Sequence, residues 1–159
     1  MSDKLFTTEG KYDWTTELTV AAIAETDGRF LMVEERIEDQ LVFNQPAGHL
    51  EEAETLLEAV VRETLEETGW HVKPQAISGL YLWKSPRRGT TILRTSFIVQ
   101  AVSEDVNAVL DEGIERAVWL TREEIAASPR LRSDFVLRSI DDYLKGQRFP
   151  LETVTHLGV

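Results

Sequence analysis

The stretch from Gly48 to Trp70 constrains this chain more than any other. It holds seven of the 28 acidic residues: Glu51, Glu52, Glu54, Glu58, Glu63, Glu66 and Glu67. Thr55 and Glu58 have capping-box spacing, and Gly69 suits the left-handed stop past a helix end, so the pattern predicts a helix over 55–68. Leu57, Val60, Val61, Leu65 and Thr68 fall on one side of it as the expected core face. At about 100° per residue, Glu63, Glu66 and Glu67 span an arc of roughly 100° that points away from that stripe. These carboxylates repel one another by roughly a few tenths of a kcal/mol per pair. They also sit near the helix C-terminus, where the dipole disfavours negative charge. Local propensity does not account for the arrangement. A hard divalent cation does, because carboxylate oxygens are its preferred ligands. The Pro46-Ala47-Gly48 turn leads into the helix, so the carbonyl of Gly48 could join the carboxylates. Arg62, beside Glu63, could orient them through a charge-assisted hydrogen bond. The competing reading is a solvated or loosely calcium-binding acidic face, although the ligand spacing of a calcium loop is absent.

The elements around this helix suggest a layered fold. Residues 18–24 read as a buried strand, Asp27-Gly28 as a two-residue turn and 29–35 as a second strand. Leu41-Val42-Phe43 is a short apolar stretch, followed by a loop from Asn44 to His49. Strands are expected at 76–83, 91–101 and 115–120, the first two joined by a hairpin around Pro86-Arg87-Arg88-Gly89. Thr121 and Glu124 make a second capping box, for a short helix ending near Ser128-Pro129. Ser133 is the expected cap of a last helix, with Val136, Leu137, Ile140, Tyr143 and Leu144 as its apolar stripe and Gly146 as its end. Strands, helix, strands, helices make an α/β or α+β domain with a mixed sheet between helices. We expect one domain over 1–159, with residues 1–16 as a loosely held arm.

Composition narrows the chemistry. With 28 acidic and 17 basic side chains the net charge is −11, which argues against broad contact with a nucleic-acid polymer or an anionic membrane. No cysteine is present, so disulfides, thiolate zinc sites and thiol catalysis are excluded. No apolar run approaches the ~20 residues of a membrane span, and the start lacks the apolar stretch of a secretory signal. The expectation is a cytoplasmic monomer acting on a small molecule.

The carboxylate helix resembles the Nudix box. Gly48, five residues, Glu54, seven residues, Arg62-Glu63, two residues, Glu66-Glu67, one residue and Gly69 reproduce the family spacing. Thr64 stands where an aliphatic is usual and Trp70 replaces the closing aliphatic, both at packing positions. The lead-in Phe43 to Glu51 and the tail from Leu131-Arg132-Ser133 to Glu152 are similar to the bacterial NudJ-type subgroup, with Ala47 where many relatives carry Gly. The resemblance implies an α/β/α sandwich and a phosphatase that uses Mg²⁺, with Mn²⁺ as a substitute. Its implied substrates are nucleoside tri- and diphosphates, hydroxymethylpyrimidine pyrophosphate and thiamine pyrophosphate. It also implies Glu63 and Glu67 as principal metal ligands, with the Gly48 carbonyl beside them. Glu66 would be a third ligand or the group taking the water's proton. Arg62 would pair with Glu54 or Glu63. The alternatives are a pyrophosphatase for an oxidised or sugar nucleotide and a non-catalytic nucleotide-binding sensor. A sensor would usually have lost box carboxylates, and none is lost here.

Substrate contacts are sought outside the helix. Gln45 and His49 lie in the box loop. Lys84, Arg87 and Arg88 make a cationic loop, either phosphate-facing or merely solvated. Arg94, flanked by Leu93 in an apolar strand, needs a partner if buried. Phe43, Tyr81 and Trp83 are candidates to stack on a ring, against a plain core role. Glu112 and Glu115 lie where a further carboxylate is often supplied, or are solvated loop charges. His71, His156 and Trp14 suggest no role.

Overall fold

In the computed structural model, which describes residues 16–85 and 89–158, the apolar run around Val20 becomes the central strand β1 (Thr16–Thr26). Val20, Ala22 and Ala24 are buried on one face and Ile23 on the other. A strand covered on both sides reads as an unbroken apolar run. Asp27 and Gly28 take positive φ values of 51° and 75°, as a tight hairpin turn of the primed type requires. The chain returns as β2 (Arg29–Ile37) and folds back as β3 (Gln40–Asn44). A three-residue strand, β4 (Ala47–His49), then precedes α1 (Leu56–Thr68). The long β5 (Trp70–Lys84) and β6 (Thr91–Glu104) pair antiparallel, followed by β7 (Ile114–Thr121), α2 (Arg122–Ala127) and α3 (Phe135–Leu144).

The sheet runs β3-β2-β1-β6-β5, with β7 on β2 and β4 on β1. Only β1 and β6 are parallel among the described pairings. Strands β1 and β2 pair at Glu25 and Thr26 beside their turn, whereas β4 pairs with β1 at Thr19 to Ala21. One core, with Val20, Leu31, Val60, Ile77 and Phe97, lies under α1. The other, with Ile23, Phe30, Met32, Ile125, Val136 and Ile140, lies under α2 and α3. The result is the expected α/β/α arrangement around a mixed sheet.

Four local expectations change. Residues 47–49 are a strand rather than loop, because β1 has a free edge there to pair. β5 starts at Trp70, directly after Gly69 at φ 73°. The cap residue of α3 is Asp134 rather than Ser133 and makes no side-chain bond to the helix. The buried face of α1 is wider than the predicted one: Val60 and Thr68 are buried as expected, joined by Ala59, Glu63 and Thr64. Leu57 and Val61 are half-buried against the same core and also line an apolar groove with Pro74 and Leu151. The hydroxyls of Thr64 and Thr68 make this burial tolerable by donating to the Val60 and Thr64 carbonyls at 2.6 and 2.5 Å. The tip of the β5–β6 hairpin, with Arg87 and Arg88, and the N-terminal arm, with Trp14, lie outside the described residues.

Candidate active site

The capping box of α1 is complete: Thr55 accepts from the Glu58 amide, and Glu58 accepts from the Thr55 amide at 2.9 Å. With its start set, α1 presents Arg62 to four acceptors. Its Nε and Nη2 hold Glu54 in a fork at 2.7 and 2.9 Å, Nη1 donates to Glu63 at 2.9 Å and Glu66 at 3.0 Å, and Nη2 also donates to the His49 carbonyl at 3.0 Å. Arg62 thus pairs with both of its proposed partners and with Glu66. Its guanidinium, by hydrogen bonding, holds the Glu54 carboxyl below its ordinary range. Burial pushes Glu63 up despite that same guanidinium. Glu67 faces inward, and burial pushes it up to about 8 even though it accepts from the Ala47 amide at 2.8 Å.

Glycine at 48 is a steric requirement. A Cβ built there would lie 2.0 Å from Cδ of Glu63, so only glycine lets that carboxylate rest on the backbone of β4. The carbonyl assignment, however, moves by one residue. Val20 and Gly48 stand opposite each other, in phase with the hydrogen-bonded pairs Ala22/Pro46 and Leu18/Leu50. The ladder alternates, so the Gly48 carbonyl is turned towards β1. The carbonyl of Ala47 shares the side of its own amide, which is the side of Glu67. Ala47, not Gly48, therefore offers the backbone oxygen. Among the described residues, no three acidic or histidine side chains already form a closed metal cage. The donor set of Glu63, Glu66, Glu67 and the Ala47 carbonyl is nevertheless all hard oxygen, and Glu63 and Glu66 already converge on one nitrogen of Arg62. These residues fit a divalent cation.

The remaining sequence candidates separate. Phe43 is a core ring under the Arg130 guanidinium, 4.8 Å away, not a stacking platform. Gln45 is buried and donates to the Val136 carbonyl and Ser139 at 2.8 Å, so it ties the box loop to α3. The His49 ring turns to Glu17, 3.1 Å away. Tyr81 is committed to Asp142 through its hydroxyl at 3.0 Å. Lys84 is exposed at the hairpin end. Glu115 pairs with Arg36. The loop carboxylate that acts on Glu63 and Glu67 is Asp111, whose amide donates to the Glu66 carbonyl at 3.0 Å. His156 acquires a role, since its Nε2 accepts from the Leu56 amide at the start of α1.

Arg94 is different. Its guanidinium lies 4.8 Å from the centre of the Phe135 ring, and its Nε and Nη1 are shut from solvent without a hydrogen-bond partner. Burial brings it down to about 10. Trp83 meets the same ring at 5.5 Å.

Residues 15–139 match the NUDIX domain family. The chain belongs to the Nudix family. It is 41% identical over 137 residues to phosphatase NudJ of Escherichia coli K12, a match covering 86% of this chain and 89% of that protein. A Nudix hydrolase from Nitrosomonas europaea superposes with a TM-score of 0.89 at 41% identity, over 91% of this chain and all of that one. A MutT protein from Methanosarcina mazei Go1, at 20% identity and a TM-score of 0.70, shares the fold over 86% of this chain and 99% of its own. The protein is accordingly a Nudix hydrolase, an enzyme of the class that acts on phosphoric anhydrides. Members of the Nudix family generally use divalent metals. In this Nudix fold Arg62 ties Glu54, Glu63 and Glu66 together. Glu35, Asp111 and Phe135 escaped the sequence reading, and Asn44, Ala47 and Arg132 were marked only as part of the similar lead-in and tail. Asp111 carried a usable signal in its place in the loop before β7; the contacts of the others follow only from strand register or tertiary proximity.

Proposed function

We propose that this Nudix enzyme is a Mg²⁺-dependent phosphohydrolase that cleaves the anhydride of small diphosphate-containing molecules. The expected substrates are nucleoside tri- and diphosphates, hydroxymethylpyrimidine pyrophosphate and thiamine pyrophosphate. The observation that carries this reading is the inward-facing Glu63 and Glu67 of an intact box, held by Arg62 and the Ala47 amide. Similarity to the phosphatase NudJ supports a phosphatase activity. Glu63, Glu66, Glu67 and the Ala47 carbonyl would hold Mg²⁺, or Mn²⁺ in its place, and the bound ion would neutralise phosphate oxygens and acidify a water. Arg62 keeps the three carboxylates of Glu54, Glu63 and Glu66 in fixed positions, which spares the reaction their reorganisation. Water attacks one phosphorus of the anhydride, its bond to the bridging oxygen breaks, and the departing phosphate-bearing fragment leaves with that oxygen and the bonding pair. Glu66, half-exposed at the edge of the cluster, is placed to take the water's proton. The large negative charge favours a soluble, monomeric, cytoplasmic protein.

The test is phosphate release from GTP, GDP, hydroxymethylpyrimidine pyrophosphate and thiamine pyrophosphate, with Mg²⁺ and with chelator. Release that needs the metal is expected. No release from any of the four, or release unaffected by chelator, overturns the reading.

A further inference from the structure

Four buried polar atoms without a hydrogen bond, gathered from three neighbouring side chains, demand a ligand more strongly than a lone charge does. Besides Nε and Nη1 of Arg94, the buried atoms without a hydrogen-bond partner include Oε1 of Glu35 and Oδ1 of Asn44. These side chains lie together. Glu35 and Arg94 each act on the other's charge, and Asn44 hydrogen-bonds Glu35. A single segment touches both ends of the cluster: Arg132 stands 3.6 Å from Glu35, and three residues on Phe135 packs on the Arg94 guanidinium. Glu67 of the box is close enough to feel both Glu35 and Arg94. Unsatisfied polar atoms in such a place destabilise the fold unless something completes them.

The charges indicate what that is. Arg94 and Arg132 are both faced by the Glu35 carboxylate, while Glu67 is committed to the metal site. An anion such as phosphate, laid on Arg94, would sit beside Glu35. A neutral ring incurs no such repulsion, provided its edge gives hydrogen bonds to Glu35 and Asn44 and accepts one from Arg94. An exocyclic amine next to a ring nitrogen or carbonyl has this pattern, and the half-buried Trp83 beside Phe135 extends an aromatic wall for such a ring. We propose that Glu35, Asn44 and Arg94 form the specificity site of this enzyme and read the amine-bearing edge of a heteroaromatic ring in the substrate's non-phosphate part. The inference rests on the phosphohydrolase reading and adds to it which residues choose the substrate. Arg94 is here a donor to the ring, not a clamp on the phosphates.

The experiment compares matched pairs that differ by the amine: CDP with UDP, and GDP with IDP. The expected result is a kcat/KM at least about ten-fold higher for the amine-bearing member of a pair that turns over, because a site with buried acceptors rejects a ligand lacking the donor. Glu35→Gln exchanges one acceptor for a donor, and is expected to reduce the CDP-to-UDP ratio about ten-fold or invert it. Calorimetric titration of the wild-type enzyme with cytidine and with uridine needs neither turnover nor a folded variant, and should show tighter binding of cytidine. Equal kcat/KM within each pair, a ratio unmoved by Glu35→Gln, or equal binding of the two nucleosides overturns the inference while leaving the hydrolase reading intact. So does turnover of other substrates with none from either pair. A loss in Arg94→Met that is the same for CDP, UDP and inorganic tripolyphosphate would make Arg94 a phosphate ligand and also overturns it. Cytidine selected over uridine in a protein that releases no phosphate from any compound would instead sink the hydrolase reading and spare the site.

Discussion

Two arginines of this enzyme lie among carboxylates, and they are treated in opposite ways. Arg62 spends its donors on Glu54, Glu63, Glu66 and the His49 carbonyl. Arg94 leaves two buried nitrogens without a partner. Two adjacent glutamates on β2 repeat the contrast. Glu34 is gripped by Arg116 at 2.6 Å and Arg130 at 2.9 Å, and its carboxyl lies below the ordinary range because of those bonds, Arg116 first. Glu35, next along the strand, is pushed above it by burial and keeps one oxygen unsatisfied. A saturated arginine is scaffold: Arg62 has no donor left for a ligand and fixes carboxylates whose remaining lone pairs can still meet a metal ion. An open cluster is held at a cost, and the fold retains it where a ligand can complete it.

The contrast can be broken most severely at Glu67. Glu67→Gln is expected to lower kcat by about 10³-fold or more while leaving the melting temperature within a few degrees, since it removes a ligand oxygen but no buried ion pair. Steady-state kinetics beside thermal melting checks this. Next is Gly48→Ala. Its Cβ would meet the Glu63 carboxylate, so that group must leave its place on β4, and a loss of about 10²-fold in kcat/KM with weaker Mg²⁺ binding is expected. A variant with wild-type kinetics would mean that Glu63 tolerates displacement.

The two arginines should then diverge in stability. Arg62→Ala leaves Glu54 and Glu63 with uncompensated charge and should cost about 2–3 kcal/mol in urea unfolding. Arg94→Met removes a buried, unsatisfied cation and should change stability by less than about 1 kcal/mol, or raise it. Similar losses in the two variants would erase the distinction drawn here. The smallest effect is a matter of pH. A carboxyl whose folded pKa is depressed, such as Glu34, adds stability above its unfolded value near 4.5 and loses it as pH falls through the folded value. Glu34→Gln should therefore cost about 1 kcal/mol near neutrality and shrink the difference at acid pH. For Glu35 the sign reverses: its contribution is best below 4.5 and declines as pH rises through its elevated folded value, so Glu35→Gln should be neutral or slightly stabilising at pH 7.

What the sequence determined by itself was local. The Asp27-Gly28 turn, the capping boxes at Thr55 and Thr121, the stop at Gly69 and the spacing from Gly48 to Gly69 each depend on residues a few positions apart, whose backbone preferences act before any packing. That was enough for the limits of α1 and the start of α2, the family and the residues grouped around Arg62. Tertiary structure decided the rest. The burial of Glu63 on α1 depended on how closely glycine at 48 lets it approach β4, so the buried face extended beyond the predicted stripe. Ala47 rather than Gly48 turns its carbonyl to the carboxylates because of the register with β1, and register is a pairing between distant segments. Phe43 and Tyr81 looked available for substrate and are used up by Arg130 and Asp142, and the Gln45 amide nitrogen is taken by α3. Glu35 carries no mark in the sequence, and Asn44 is marked only as part of the lead-in to the box. Each becomes informative only when a neighbouring element fails to satisfy it, and that failure is a property of the packed fold.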